Sequence, residues 1–273
     1  MLESTITGYC IIDKAYLCFQ AGMPCLFITD RTFCSTFMQS GSDGQRERGS
    51  FMKKIGLITV GQAPRDDVTV DLLPIFGSDI ELIQVGALDG LTREEIAAFA
   101  PEEGDYVLVS RLNDGSSAVF AERYILPRLQ QCIFDLEKAD VALILFLCTG
   151  SFPTFQSRVP IIYPCNVMNG LVPALTNRSR IAVITPKKEQ LEQCADKWAD
   201  YVSSVQVTFG TPYGDIAEVE KAAREVVAMD VDLVVLDCIG YTSAMKETVR
   251  KITGIPVVLS RTLAARAVME LLT

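Results

Sequence analysis

The sequence predicts an α/β fold of two pseudosymmetric lobes, each a mainly parallel sheet flanked by helices, with a site in the cleft between them. Three observations carry this. From residue 53 onward, short apolar runs rich in β-branched residues alternate with helix-like stretches, the pattern of strands buried on both faces. The plan repeats, since "KKIGLITVG" at 53–61 is echoed by "SRIAVITP" at 179–186. Two later strands also end alike, "VALILFLCTGSF" carrying Cys148 and "VDLVVLDCIGYT" carrying Cys238.

In the first lobe, about 52–165, strands are expected at 53–61 and at "DIELIQVG" (79–86). "TREEIAAF" (92–99) opens a helix with Thr92 and Glu95 spaced as a capping box. "DYVLVSRLNDGSSAVF" (105–120) reads as a hairpin turned at Asn113-Asp114-Gly115, where Asn and Gly tolerate positive φ. A helix over about 121–138, the strand 141–147 and the strand "VPIIYP" (159–164) complete the lobe.

The second lobe, about 166–260, begins with the strand 179–186 and the helix 187–202. The strand 205–210, a helix at 216–229, the strand 232–237 and the strand 255–260 follow, and 261–272 is a final helix. Such alternation of strands and helices is that of parallel sheets covered on both faces.

Residues 1–51 differ from the rest. They hold four cysteines with weak periodicity and end in the polar break "GSDGQRERGS". They lack the basic start and compact apolar core of a signal peptide. We expect an N-terminal extension outside the fold, from a start codon placed upstream, the functional alternative being a cysteine-rich metal or redox module; residues 52–273 are expected as the folded domain.

Composition excludes several functions. Of 273 residues, 49% are hydrophobic and the formal charge is −9, with no basic run to meet nucleic acid or an anionic membrane. No apolar stretch approaches the roughly 20 residues of a membrane span. Histidine is absent, which removes imidazole bases, Ser-His-Asp and Cys-His constellations and most zinc chemistry. Nine cysteines without a CxxC or a recurring ligand spacing suggest free thiols in a reducing cytoplasm.

Ligands of open parallel sheets sit beyond the carboxyl ends of strands, where Cys148 and Cys238 fall. Thr149, Gly150 and Ser151 after the first, and Gly240, Tyr241 and Thr242 after the second, offer N–H groups and hydroxyls to an anion. Those N–H groups are also expected to lower the thiol pKa. The competing reading makes both cysteines apolar filler, a common use of this residue.

Arg65 at a helix start and Arg111 before the hairpin turn are candidate bidentate carboxylate clamps, or solvated surface groups. Asn113 and Asp114 serve as turn formers or ligands. Tyr241 would donate to an oxyanion or cover a helix start. Asp237 falls on the opposite side of its strand from Cys238 if the pleat continues, which suits a structural role. Cys132 and Cys194 lie in helices facing inward, and Cys165 follows a strand end near the cleft. "VGQAPR" lacks the ending of a phosphate-binding loop, and no GxGxxG follows a strand.

The stretches "MKKIGLITVGQAPRDDV", "EEGDYVLVSRLNDGSSAVF", "LFLCTGSF" and "VLDCIGYT" together resemble the AroM protein family from Met52 to the C-terminus. More distantly the chain is similar to the aspartate/glutamate/hydantoin racemase superfamily. That resemblance implies two lobes with a thiol from each. One thiolate removes the proton α to a carboxylate and the other thiol protonates the opposite face, which maps to Cys148 and Cys238. It also implies that Gly61, Gln62 and Pro64, in the turn after the first strand, face the substrate. Relatives carry Asn-Thr after the first cysteine where this chain has Thr149-Gly150, and Thr directly after the second where it has Ile239-Gly240. The resemblance further implies a small carboxylate-bearing ligand, no cofactor and no metal, and a homodimer.

Three functions follow as expectations: a cofactor-independent racemase or isomerase, a carboxylate-binding or regulatory protein that kept the cleft without the chemistry, and a thiol redox sensor. Depressed thiol pKa values would mark the first, inert buried thiols the second, and facile disulfide formation the third.

Overall fold

A computed structural model describes residues 6–12, 15–20, 26–28 and 52–273. The chain divides into two compact units, Met1–Gly49 and Ser50–Thr273. In the first, strands β1 (Ile6–Ile12), β2 (Ala15–Gln20) and β3 (Leu26–Ile28) pair antiparallel in that order. Cys10 and Cys18 fall in β1 and β2, while Cys25, Cys34 and the polar break at 41–50 lie outside the described residues.

The second unit opens with β4 (Lys53–Thr59), α1 (Asp66–Phe76), β5 (Ile80–Gly86) and α2 (Arg93–Ala97). β6 (Val107–Arg111), β7 (Ser117–Ala121), α3 (Leu126–Lys138), β8 (Leu143–Phe146), β9 (Ile161–Ile162) and α4 (Pro164–Leu171) follow. β10 (Arg180–Thr185), α5 (Leu191–Ala199), β11 (Ser204–Phe209) and α6 (Ile216–Val226) come next. β12 (Leu233–Leu236), α7 (Ser243–Thr253), β13 (Val257–Leu259) and α8 (Ser260–Leu272) end the chain.

The two main sheets have the same wiring. One runs β5-β4-β8-β9 and the other β11-β10-β12-β13, parallel throughout. β8 and β12 are therefore equivalent strands, and Cys148 and Cys238 stand two residues beyond their ends. Both strands are buried along their whole length, as helices on both faces require.

The lobes exchange their last helices. α4 buries Met168 against Ile181, Val183 and Val235 of the second sheet. α8 buries Ala264, Ala265 and Val268 against Ile55, Leu57 and Leu145 of the first. The two helices also pack on each other, so apolar contact crosses the boundary in both directions.

The capping box forms as expected, with Glu95 N–H donating to Thr92 Oγ1 at 3.2 Å and Thr92 N–H to Glu95 Oε2 at 2.8 Å. The hairpin is the antiparallel pair β6–β7. Only Gly115 of its turn takes positive φ, 85°, so Asn113 is not there for left-handed backbone. Asp114 instead accepts from Ser116 N–H at 2.8 Å and pairs with Arg93. The expected strand at 159–164 narrows to β9 because Pro164 already starts α4, and that at 255–260 narrows because α8 starts at Ser260. No described helix is long and apolar enough to cross a membrane.

Candidate active site

A cavity of about 40 Å³ lies between the lobes, and both cysteines line it. From the first lobe come Tyr106 to Val109 of the β6 region and Cys148 to Gly150; from the second come Thr185, Pro186, Gln190, Gln193, Cys194, Lys197, Asp237 and Cys238. The seam is polar. Val107 N–H donates to Gln193 Oε1 at 2.9 Å, and Val107 O accepts from Gln193 Nε2 at 3.2 Å and from Gln190 Nε2 at 3.3 Å.

The thiols share one local geometry. Gly150 N–H donates to Cys148 Sγ at 3.4 Å, and Gly240 N–H donates to Cys238 Sγ at 3.3 Å. The N–H groups expected for an external anion thus serve the sulfurs and favour the thiolates. Burial outweighs them, however. It pushes the Cys148 thiol up from its ordinary 9.0 to about 12, against the Gly150 N–H. Cys238 is also raised by burial, with Gly240, Tyr213 and Arg65 opposing. The expected depression of the thiol pKa is therefore not what the site produces, because desolvation exceeds one N–H per sulfur.

The turn around Cys238 is fixed from behind. Ser260 Oγ donates to Cys238 O at 2.8 Å, and Arg261 donates from Nε to Ile239 O at 2.8 Å and from Nη2 to Gly240 O at 2.8 Å. Arg261 Nη1 also reaches Asp67 O and Asp71 Oδ2, each at 2.9 Å. Three successive carbonyls held in this way leave the Gly240 N–H directed at the sulfur.

Of the other predicted residues, Thr149 and Gly150 line the cavity. Thr149 Oγ1 donates to Asp237 O at 3.1 Å, a bond between strand ends of the two lobes. Ser151 is exposed, with its N–H on Tyr106 Oη at 3.0 Å and its Oγ 3.5 Å from Cys165 Sγ. Gly61 lies against β6, where a Cβ would come within 2.2 Å of Ser110 Oγ. Gln62 Oε1 accepts from Asn113 N–H at 2.9 Å and Asn113 Nδ2 donates to Ala63 O at 3.1 Å, so these two bind the first turn to the hairpin. Pro64 follows a cis peptide bond and is exposed.

Arg65 is buried rather than solvated and binds Asp67 bidentately, at 2.8 and 2.9 Å. Burial opposes its charge, but Asp67 and Tyr213 outweigh that and hold the guanidinium above its ordinary pKa. Arg111 is half-buried, with its guanidinium over Gly115. Tyr241 must be corrected: it is fully buried and donates to Gly210 O at 2.7 Å, so its hydroxyl is committed to backbone and not offered to an oxyanion. Thr242 caps α7 by accepting from Met245 N–H at 3.1 Å.

Several site residues escaped the sequence reading. Asp237 does turn toward α5, where Oδ2 meets Lys197 Nζ at 2.5 Å and Trp198 Nε1 at 2.8 Å, yet it lines the same cavity as Cys238. Cys194, expected only as core, also lines it, with Sγ 3.7 Å from Asp237 Oδ2. Lys197 donates to Thr149 O at 3.1 Å; burial opposes its charge, but Asp237 and the neighbouring thiols outweigh it and raise the ammonium pKa. Tyr213 Oη stands 3.7 Å from Cys238 Sγ. Cys165 lies at the start of α4 beside Ser151 and Asn169, and Cys132 is buried in α3. Among the described residues, no group of three or more Cys, Asp or Glu side chains is arranged to hold a metal.

Solved structures share the two-lobed fold. The maleate isomerase Iso from Pseudomonas putida S16 aligns with a TM-score of 0.54 at 15% identity, over 81% of this chain and 92% of that one. Glutamate racemase from Francisella tularensis subsp. tularensis SCHU S4, in complex with D-glutamate, gives 0.52 at 16% identity over 81% of each chain. Unliganded arylmalonate decarboxylase gives 0.53 at 16% identity, over 81% of this chain and 93% of its own. At such identities the likeness is one of architecture, the fold of the aspartate/glutamate racemase superfamily. No curated protein sequence matches the chain. The family model described as AroM protein matches residues 55–272, and the chain belongs to the AroM family.

Proposed function

We propose that the protein is a cofactor-independent racemase- or isomerase-type enzyme acting at a carbon α to a carboxylate, with Cys148 and Cys238 as its acid and base. One observation carries the reading: the thiols end equivalent strands of two like-wired lobes, line one cavity, and each accept the N–H of the glycine two residues on. An α-proton is weakly acidic, so its removal needs a base on one side and a donor on the other. Thiols approaching from opposite lobes meet that need without imidazole, which this chain lacks. The likeness in fold to a racemase, an isomerase and a decarboxylase supports the same class.

A second reading, a carboxylate-binding protein without turnover, has its own support. Burial raises both thiols, and a cavity of about 40 Å³ is far below the ~300–1,000 Å³ of a usual ligand pocket. Under the enzymatic reading the polar seam at Val107 must open to admit substrate and close again, as mobile lids do.

Deuterium exchange separates the two. The protein is incubated in D₂O with amino acids, hydroxy acids, dicarboxylates and hydantoins, and loss of the α-proton is followed by NMR. Exchange present in wild type and lost in both Cys148→Ser and Cys238→Ser supports acid–base chemistry. Panel members that bind wild type and both variants alike, with no exchange, establish the binding protein instead.

A further inference from the structure

The two thiols stand in unequal surroundings, and the difference lies beside Cys238. Tyr213 Oη is 3.7 Å from its sulfur. The tyrosine sits in the turn after β11, where its N–H donates to Thr211 Oγ1 at 3.2 Å. The phenol end of its ring lies close against the cysteine's own turn, since a Cβ on Gly240 would come within 2.6 Å of both Cζ and Oη. The Arg65 guanidinium lies within electrostatic reach of the hydroxyl, and each group acts on the other's charge. Arg65 is 2% exposed and fixed by two hydrogen bonds to Asp67, with Nη1 also donating to Ser110 Oγ at 3.4 Å and Thr59 Oγ1 at 3.5 Å. Beside Cys148 the cation is Lys197, already committed to Asp237 and Thr149 O.

We propose that Tyr213, oriented by Arg65, donates to Cys238 as the thiolate, so that Cys238 removes the α-proton and Cys148 supplies the proton to the opposite face. This assignment of base and acid rests on the acid–base reading above; the action of Tyr213 on the sulfur does not. In the step, the substrate C–H proton moves to Cys238 Sγ while the electron pair passes into the carboxylate. The Cys148 S–H then gives its proton to the same carbon and becomes the thiolate, and Tyr213 keeps its own proton throughout.

The charges around Cys238 support this ordering. Burial and Asp237 oppose the Cys238 thiolate, while the Gly240 N–H, Tyr213 and Arg65 favour it. At Cys148, burial, Cys238 and Asp237 oppose the thiolate, with the Gly150 N–H and Lys197 favouring it. Tyr241 faces the sulfur as a neutral phenol whose proton goes to Gly210 O. Tyr213 itself is held well above its ordinary pKa, by burial first and then by Cys238, so within the pair the proton stays on oxygen and the charge on sulfur.

The test needs no substrate. Iodoacetamide alkylation of Cys148 and Cys238 is followed against pH by peptide mass spectrometry in wild type, Tyr213→Phe, Arg65→Met and Arg65→Lys. Thiolate absorbance, taken as the difference between each protein and its Cys238→Ser counterpart, reads the same ionisation where reagent access is slow. In wild type Cys238 should ionise at lower pH than Cys148. Tyr213→Phe should raise the Cys238 midpoint by about one pH unit, a tenfold loss of thiolate at fixed pH, with Cys148 unmoved. Arg65→Met should shift it the same way, and Arg65→Lys should restore only part of it, since an ammonium keeps the charge without the bidentate bond to Asp67. A Cys238 midpoint that stays put in Tyr213→Phe, or equal shifts at both cysteines, overturns the proposal. A shift at Cys238 without deuterium exchange in any substrate would leave Tyr213's role standing and remove the acid–base reading instead.

Discussion

Lys197 Nζ lies 2.5 Å from Asp237 Oδ2, and both side chains are withdrawn from solvent at 9% and 2% exposure. The pair joins α5 to the end of β12 in the cavity wall and reaches the first lobe through Thr149 O. Removing one member strands the other charge. Lys197→Met should therefore cost about 3 kcal/mol of stability, although its methylenes fill similar space. Asp237→Asn should also destabilise, and the double variant should lose less than the sum, with a coupling above about 1 kcal/mol. Urea unfolding of the four proteins measures this. Additive losses would mean that the ion pair contributes nothing of its own.

The two glycines that serve the thiols should tolerate a methyl group unequally. At Gly240 the new Cβ meets the Tyr213 ring at 2.6 Å and Pro212 at 2.8 Å, both rigid groups; at Gly150 the nearest atom is Leu108 Cδ2 at 2.9 Å. A leucine tip can rotate away, whereas the tyrosine ring and the Pro212 ring meet the new carbon together. Gly240→Ala should cost about 1–3 kcal/mol and move Tyr213 off Cys238, while Gly150→Ala should cost under about 1 kcal/mol. Denaturant midpoints of the two variants decide it, and equal losses would count against this packing.

Arg261 should be the least replaceable residue behind the site. It is fully buried and its guanidinium meets three backbone carbonyls and Asp71. Arg261→Met should cost about 3–5 kcal/mol, because the carbonyls of residues 239 and 240 lose their donors. Arg261→Lys should recover only part, since an ammonium cannot reproduce the planar fork. Full recovery by lysine would show that charge alone, rather than geometry, holds the Cys238 turn.

Most of this fold was legible because its strands are buried on both faces. Runs such as 181–184 and Leu143–Phe146 are apolar without alternation. The exchange of α4 and α8 was not legible, since an amphipathic pattern shows which face is buried but not what covers it. α7 was missed because Val249 is its only fully buried residue. Cys148 and Cys238 were readable as a pair through the repeat. Tyr213, Lys197 and Arg65 were harder, because each reaches the thiols or their partners from an element distant in sequence. Tyr241 misled for the opposite reason: nearness along the chain says nothing of the direction its ring takes.

Thiols with raised pKa values also set an alkaline limit. Cys148 is raised to about 12 in the folded protein by burial, against an ordinary 9.0. A raised folded pKa contributes stability that is complete below the unfolded value and lost as pH rises through the folded one. Between about pH 9 and 12 the unfolded chain gives up this proton and the native protein keeps it, so stability falls with pH. Cys132, raised to about 11 by burial, adds to the same limb. Tyrosines and lysines contribute there too, so the informative quantity is the difference between wild type and Cys148→Ser. The variant should show a shallower fall in unfolding free energy over this range, approaching one proton less in the slope, and little change in slope near neutral pH. Parallel curves for the two proteins would mean that Cys148 ionises as easily in the folded chain as in the unfolded one, and that burial does not raise its thiol.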